Sequence, residues 1–298
     1  MDLLKANVKQ LYFKYLLPSL GSAVAISIYS FVDSIAVGQS EGPDGAAVMA
    51  VFSPLYGATV CLGILCGMGG SVLMSKAKGE GNEEKGNAYF TSALVLLSLL
   101  TVAFWAASAF FYETIFMWFG ADRDLIPLVM KYAKWILMFC PCFLFSIFLA
   151  CFIRNDNAPG LALCAVVTGG VFNIFGDWFL VFPLGMGIEG AAIATVIGTG
   201  IQTLVLCSYF FSKKCGLKLV KPYRLFRAFK KIFATGFGSS LLDFANVILV
   251  CIFNNQIMHY GGRQELSIFG VVATISALFQ ALYSGIGQAA QPLISMNF

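Results

Sequence analysis

Residues 15–38 read YLLPSLGSAVAISIYSFVDSIAVG, a stretch in which Asp33 is the one charged side chain. A helix of that length rises about 36 Å at ~1.5 Å per residue, enough to cross a hydrocarbon core of ~30 Å. Comparable apolar runs recur over 46–75, 88–112, 126–153, 160–182, 190–211, 232–258 and 267–294. The sequence therefore predicts an all-α polytopic membrane protein. Composition agrees: 59% of the 298 residues are hydrophobic and 11% charged, where soluble domains carry about 25% charged residues. So few charges cannot cover a water-facing surface, whereas lipid-facing helices need none.

Ala23-Val24-Ala25 behind Lys5, Lys9 and Lys14 mimics a signal-peptide cleavage site, but the apolar run continues to Val37, which favours an uncleaved span. With the N-terminus inside, the inner segments hold Lys5, Lys9, Lys14, Lys76, Lys78, Lys85, Arg154 and eight basic residues between Lys213 and Lys231. Basic residues favour the cytoplasmic side, so both termini are expected there, in a plasma membrane of bacterial type. The run from Lys213 to Lys231 is explained by topology and by an interfacial helix, and no nucleic-acid partner is expected.

Eight of the nine cysteines lie inside apolar runs and read as small buried residues; Cys215 alone lies in a polar loop. The single histidine, His259, falls at a loop edge and is expected to face solvent. Gly63 and Gly67 have the spacing of a helix-packing pair. No phosphate loop, nucleophile with a base, or metal triad is present, so neither an enzyme nor a cofactor or metal centre is expected.

Sliding the chain by 220 residues lays Gly67–Ser75 on Gly287–Ser295, with identity at the first, seventh and last positions, and lays Pro18 on Gly238. If spans seven and eight repeat spans one and two, residues 1–211 form a six-helix N-terminal lobe, 212–231 a basic cytoplasmic linker, and 232–298 the first two helices of a second lobe. A complete two-lobed chain would then have about 440 residues. The sequence is accordingly expected to be C-terminally truncated, with spans seven and eight forming a hairpin that is displaced from the six-helix bundle or loosely packed on it.

Asp33, Asp177 and Asp243 lie within spans. A carboxylate in hydrocarbon costs at least ~2.5–3.5 kcal/mol, so each should face a partner or a cavity. Asp33 and Asp177 each lie five residues before the outer end of a span, and Thr195 five after the outer start of another, which puts all three about 7–8 Å below the boundary. Asn173 is one turn from Asp177 on the same face. Two carboxylates, an amide and a hydroxyl at one depth suit a single monovalent cation, H⁺ or Na⁺; the alternative is that each acid hydrogen-bonds a neighbouring helix. Asp243 lies near the middle of span seven with Asn246 close to its face, positions suited to a substrate cavity, a second proton site or an interhelical polar contact.

These residues resemble the multidrug and toxic compound extrusion (MATE) family, within a superfamily that also contains precursor flippases. The carriers are Pro18 with Val32–Gly38, Ser71–Gly81, Arg154–Pro159, Asn173–Asp177, Gly185–Gly187 with Gly190–Thr195, and Gly287–Pro292. The resemblance covers essentially the whole chain. It implies two six-helix lobes around a cavity open alternately to either side, exporting amphipathic, often cationic small molecules in exchange for H⁺ or Na⁺, as a monomer when full length and in contact with membrane lipid. It also implies a first-lobe cation site at Asp33, Asn173, Asp177 and Thr195 and a helix kink at Pro18. Asp243 does not match the family's second-lobe acid closely. Two alternatives stand beside this reading: a flippase for lipid-linked oligosaccharides or precursors, which would need basic residues deep in its spans, and an inactive truncated fragment.

Overall fold

The computed structural model describes residues 8–222 and 224–297; Lys5 lies outside it. Among the described residues the chain is 88% helical with no strands. Residues 8–41 (α1) and 43–79 (α2) run almost without a loop, divided only at Gly42, whose φ of 64° and ψ of −144° are closed to residues with a side chain. Pro43 follows as the first residue of α2, where its missing N–H would have had no intrahelical partner. Tyr15 Oη donates to Asn157 Oδ1 at 3.1 Å, and Lys78 Nζ to the adjacent Asp156 at 2.6 Å. The start of α1 and the end of α2 therefore meet, and the two helices form a hairpin.

The chain continues through α3 (Glu83–Phe110), the short α4 (Tyr112–Trp118), α5 (Ile126–Met138), α6 (Cys140–Asn155), α7 (Pro159–Gly176), α8 (Gly187–Cys207), α9 (Leu225–Tyr260) and α10 (Gly262–Asn297). The expected single span over 126–153 is instead the pair α5 and α6, bent by 55° at Phe139. Pro141 accounts for the break: it lacks a donor, and its ring would clash with the carbonyl of Leu137 in a continuous helix. Among the described residues six apolar helical stretches are long enough to cross a membrane; one of them, 68 residues long, is two helices divided at Gly42, and the bent pair, counted as one span, adds another. This matches the eight crossings read from the sequence.

Two buried clusters fill the interior. Near the Gly42 turn, Val37, Val48, Phe52, Val129 and Ile188 pack together; toward the other end, Met74, Phe90, Leu144, Phe148 and Phe152 do so. Leu99, Val102, Leu204 and Leu242 point outward, as lipid-facing residues must. The Gly63 and Gly67 pair packs α2 on α6, a Cβ at either position falling about 3 Å from Ile147 or Cys151. His259 is exposed in the last turn of α9. The cysteines correct one expectation: Cys61, Cys66, Cys140 and Cys151 are buried, but Cys164 is exposed on α7.

Of the expectation that spans seven and eight form a hairpin displaced from the bundle or loosely packed on it, the displacement is not seen, but both helices stay mostly exposed or half-buried. α9 and α10 lie principally along the α1–α2 hairpin rather than on each other. Glycines explain the fit: a Cβ on Gly236 would overlap the Leu65 carbonyl, one on Gly69 the Ile232 carbonyl, and one on Gly285 would lie 2.8–2.9 Å from Leu20. Polar ties close both ends. Asn254 Nδ2 donates to Ala50 O at 2.8 Å and Arg263 grips Asp122 at 2.8 and 2.9 Å near the Gly42 turn; at the other end Arg154 Nη1 donates to Gln288 Oε1 at 2.5 Å.

Gly236→Val should therefore lower the apparent melting midpoint of the detergent-purified protein by several degrees, the loss of overpacking in a tight contact, about 1–3 kcal/mol. Gly238→Ala, two residues away with open space around it, should leave the midpoint unchanged or raise it slightly through helix propensity. Equal effects of the two substitutions in a thermal-unfolding series would contradict this packing.

Candidate functional site

Asp33 sits two turns before the end of α1, Asn173 in the last turn of α7, and Thr195 two turns into α8. Asp177 opens a five-residue π-helical turn, Asp177–Val181, that continues α7; wide turns of this kind recur where a helix must re-aim a side chain. Small residues bring α7 and α8 into backbone contact: a Cβ on Gly169 would lie 2.6 Å from Gly198 O, one on Gly198 2.7 Å from Gly169 O, and one on Gly176 2.8 Å from Ala194. That approach lets Asn173 Nδ2 donate to Thr195 Oγ1 at 3.2 Å.

Asp33 joins the same group from α1. Tyr132 Oη, from α5, donates to Asp33 Oδ2 at 3.0 Å. Thr195 also lies beside Asp33 and Tyr132, and Asp33 is the charged neighbour of Asp177. Asp33, Asn173 and Asp177 are 5%, 3% and 1% exposed. Four of their oxygens, Asp33 Oδ1, Asn173 Oδ1 and both of Asp177, are buried without a hydrogen-bond partner among the described residues. The four residues nominated from the sequence are thus brought together, as one cluster of inward-facing oxygens.

Unsatisfied buried oxygens of this kind are costly and need an electropositive partner. The donor set is all oxygen, and no group of three or more His, Cys, Asp or Glu that could hold a metal ion occurs among the described residues. Such a set suits a proton or a hard monovalent cation rather than a transition metal.

Asp243 and Asn246 are placed elsewhere. Asp243 is half-buried where α9 meets α2, beside Cys61, and Asn246 is exposed. Pro18 lies within α1, whose dihedrals stay helical there, and its carbonyl accepts from Ser22 Oγ at 2.7 Å. Sequence reasoning missed Tyr132, because a tyrosine in an apolar run carries no mark separating a hydrogen-bonded phenol from a packed ring. It also placed Arg154–Pro159 after the end of a span, on the inner side. Arg154 and Asn155 are buried in the last turn of α6; Asn155 Nδ2 donates to Ser71 Oγ at 3.2 Å and to Gln291 Oε1 at 2.8 Å. The signal was present, since Arg154–Pro159 and Gly287–Pro292 both stood out as motifs.

A family model, MatE, matches residues 18–179, more than half of the chain. The chain belongs to the MatE family. The matched segment contains Asp33, Asn173 and Asp177. The Bacillus subtilis (strain 168) "Probable multidrug resistance protein YoeA" is 29% identical over 282 residues, 89% of this chain and 59% of that protein. "Multidrug export protein MepA" of Staphylococcus saprophyticus is 22% identical over 283 residues, 94% of this chain and 62% of that protein. The chain thus spans about three-fifths of the length of these MatE-type relatives. The solved structure of the "MATE multidrug transporter DinF-BH" superposes with a TM-score of 0.90 over 97% of this chain and 66% of that one, at 23% identity, which shows a shared fold. This MatE chain is an all-α, multi-span membrane protein.

The Tyr132–Asp33 bond in this MatE protein should be worth more than the phenol alone. Tyr132→Phe strands a buried carboxylate oxygen and should cost about 1–3 kcal/mol, but much less in an Asp33→Asn background. A double-mutant cycle in melting midpoints checks this; additive effects would mean that the two side chains do not interact.

Proposed function

We propose that this MatE protein is a secondary antiporter that exports amphipathic, often cationic small molecules across a bacterial plasma membrane in exchange for inward H⁺ or Na⁺. Both termini face the cytoplasm, and the working unit is a monomer. The observation that carries the reading is the cluster of four buried, unpartnered oxygens at Asp33, Asn173 and Asp177. An oxygen cluster deep in a span has no stabilising role without a cation, and intramembrane carboxylates mark ion and proton paths. The names of the MatE relatives, which refer to multidrug resistance and export, support the cargo class.

The chemistry follows from charge. With no cation present, two neighbouring carboxylates confront one another in a low-dielectric interior, where repulsion far exceeds its value in water. One proton or one Na⁺ removes that repulsion, with Asn173 and Thr195 supplying neutral oxygens in place of part of the hydration shell. Occupancy then reaches the rest of the molecule through α1. Asp33 is on α1, and Leu20 on the same helix packs against Gly285 of α10. Pro18 leaves α1 without one backbone hydrogen bond and marks the point at which it can bend.

A cation that binds the folded protein stabilises it by RT ln(1 + [L]/Kd), about 2.7 kcal/mol at a hundredfold excess over Kd. Raising Na⁺ at alkaline pH in place of choline, or lowering the pH without Na⁺, should therefore raise the melting midpoint of the purified protein, and Asp177→Asn should blunt that response. In proteoliposomes, efflux of a cationic dye driven by an imposed gradient should be lost in Asp33→Asn and Asp177→Asn. A cation response that survives in both variants, or preference for a lipid-linked anionic sugar over the dye, would reject the proposal.

A further inference from the structure

At the end of the molecule opposite the Gly42 turn, the N-terminal half of α9 and the start of α3 enclose a cavity of about 520 Å³. Five basic residues line it, Lys85, Lys221, Arg224, Arg227 and Lys231, against one acid, Glu84; Asn82 and Ser92 add polar groups. The cavity is held in shape by the segment that precedes α9. Lys218 N donates to Asn87 Oδ1 and Val220 N to Thr91 Oγ1, both at 3.1 Å, which straps that segment to α3. Ala228 and Ile232, buried in the core, fix α9 beside it.

Arg227 and Lys231 are four residues apart and thus on one face of α9. Lys85 is paired with Glu80 at 2.9 Å, whereas Lys221, Arg227 and Lys231 make no ion pair among the described residues. Alongside this basic face, α9 carries aromatic rings toward the surface: Phe226 is 86% and Phe233 51% exposed, and Phe233 stacks on Phe237 at 6.0 Å. A concentration of positive charge next to exposed rings is the arrangement of a helix at the membrane–water boundary, with cations at headgroup level and rings among the acyl chains.

We propose that this cavity is a binding site for the phosphate headgroup of an anionic phospholipid, with Lys221, Arg227 and Lys231 as its cationic contacts and the Phe226–Phe233 surface against the acyl chains. Topology alone requires only that the basic residues lie on one side of the membrane; it does not require them to line one concave, strapped cavity. A soluble polyanion would satisfy the charges but leave the exposed rings uncovered, so a lipid fits both halves of the surface.

Native mass spectrometry of the delipidated full chain, titrated with phosphatidylglycerol or phosphatidylcholine, tests the site. Phosphatidylglycerol should be retained at least tenfold more tightly than phosphatidylcholine. The double variant Arg227→Gln/Lys231→Gln should lose that preference, whereas Lys213→Gln/Lys214→Gln, which removes the same charge outside the cavity, should keep it within about twofold. Arg227→Lys/Lys231→Arg preserves the charge and should bind as the parent does, separating loss of the site from loss of fold. Equal retention of the two lipids, equal effects of the two Gln pairs, or displacement of phosphatidylglycerol by millimolar inorganic phosphate would overturn the lipid assignment, the last by showing that the site takes a free phosphate ion.

Discussion

Close backbone approach between helices is the constraint on which the rest of this structure depends. In a bilayer, apolar side chains gain little by leaving lipid for one another, so helices associate where small residues let backbones touch and dispersion contacts multiply. Here Gly169 and Gly198 join α7 to α8, Gly63 and Gly67 join α2 to α6, and Gly69 with Gly236 joins α2 to α9. The first contact sets the distance between Asn173 and Thr195, and so builds part of the oxygen cluster. The third binds α9 to the remainder. The same kind of contact therefore positions the oxygen cluster and attaches α9 to the rest of the molecule.

The buried acids gain meaning from that packing. Asp33 and Asp177 lie on different helices, and either alone could have been satisfied by a hydroxyl or amide nearby, as Tyr132 satisfies one oxygen of Asp33. Yet both oxygens of Asp177 stay unpartnered among the described residues, at 1% exposure. A protein that needed only stability would place an apolar residue of similar volume there, since a buried charge without a partner destabilises. It is this uncompensated cost that the proposed cation role of the cluster would explain.

Much of this was legible in the sequence because lipid imposes simple rules. Apolar length located the crossings, and depth counted from a span boundary grouped Asp33, Asp177 and Thr195 before any contact was known. The break at Phe139 was missed although Pro141 was in plain view, because a proline two residues into a new helix and one that kinks a continuous helix leave the same mark in an apolar run. The docking of α9 and α10 was missed for a different reason. The repeat argument left open where these helices attach, whereas Gly236 and Gly285 match one face of each to α2 and α1 while their other faces stay exposed. Sequence periodicity finds a small residue but does not identify the helix that approaches it.

The two ends of the α9–α10 contact are held by unequal forces. Near the Gly42 turn, Arg263 pairs with Asp122 while about a third exposed, with Asp44 at 4.0 Å and Asp124 at 3.6 Å around it. Water can replace each of those partners, and exposed ion pairs contribute about 0–1 kcal/mol. At the other end, Arg154 is 8% exposed and donates to Gln288, and Asn155 exchanges hydrogen bonds with Gln291 at 2.8 and 3.1 Å while holding Ser71 and Ser75. Parting α10 from α6 there takes the Gln288 partner from a buried guanidinium unless water enters with the motion, at a cost of about 1–3 kcal/mol, more because the group is charged, and Asn155 loses its exchange with Gln291 while keeping Ser71 and Ser75. Separation at the Arg263 end is therefore the cheaper deformation, and α10 is better fixed where it meets Arg154 and Asn155, which makes that polar junction the pivot of any rocking between α10 and the helices that hold the oxygen cluster.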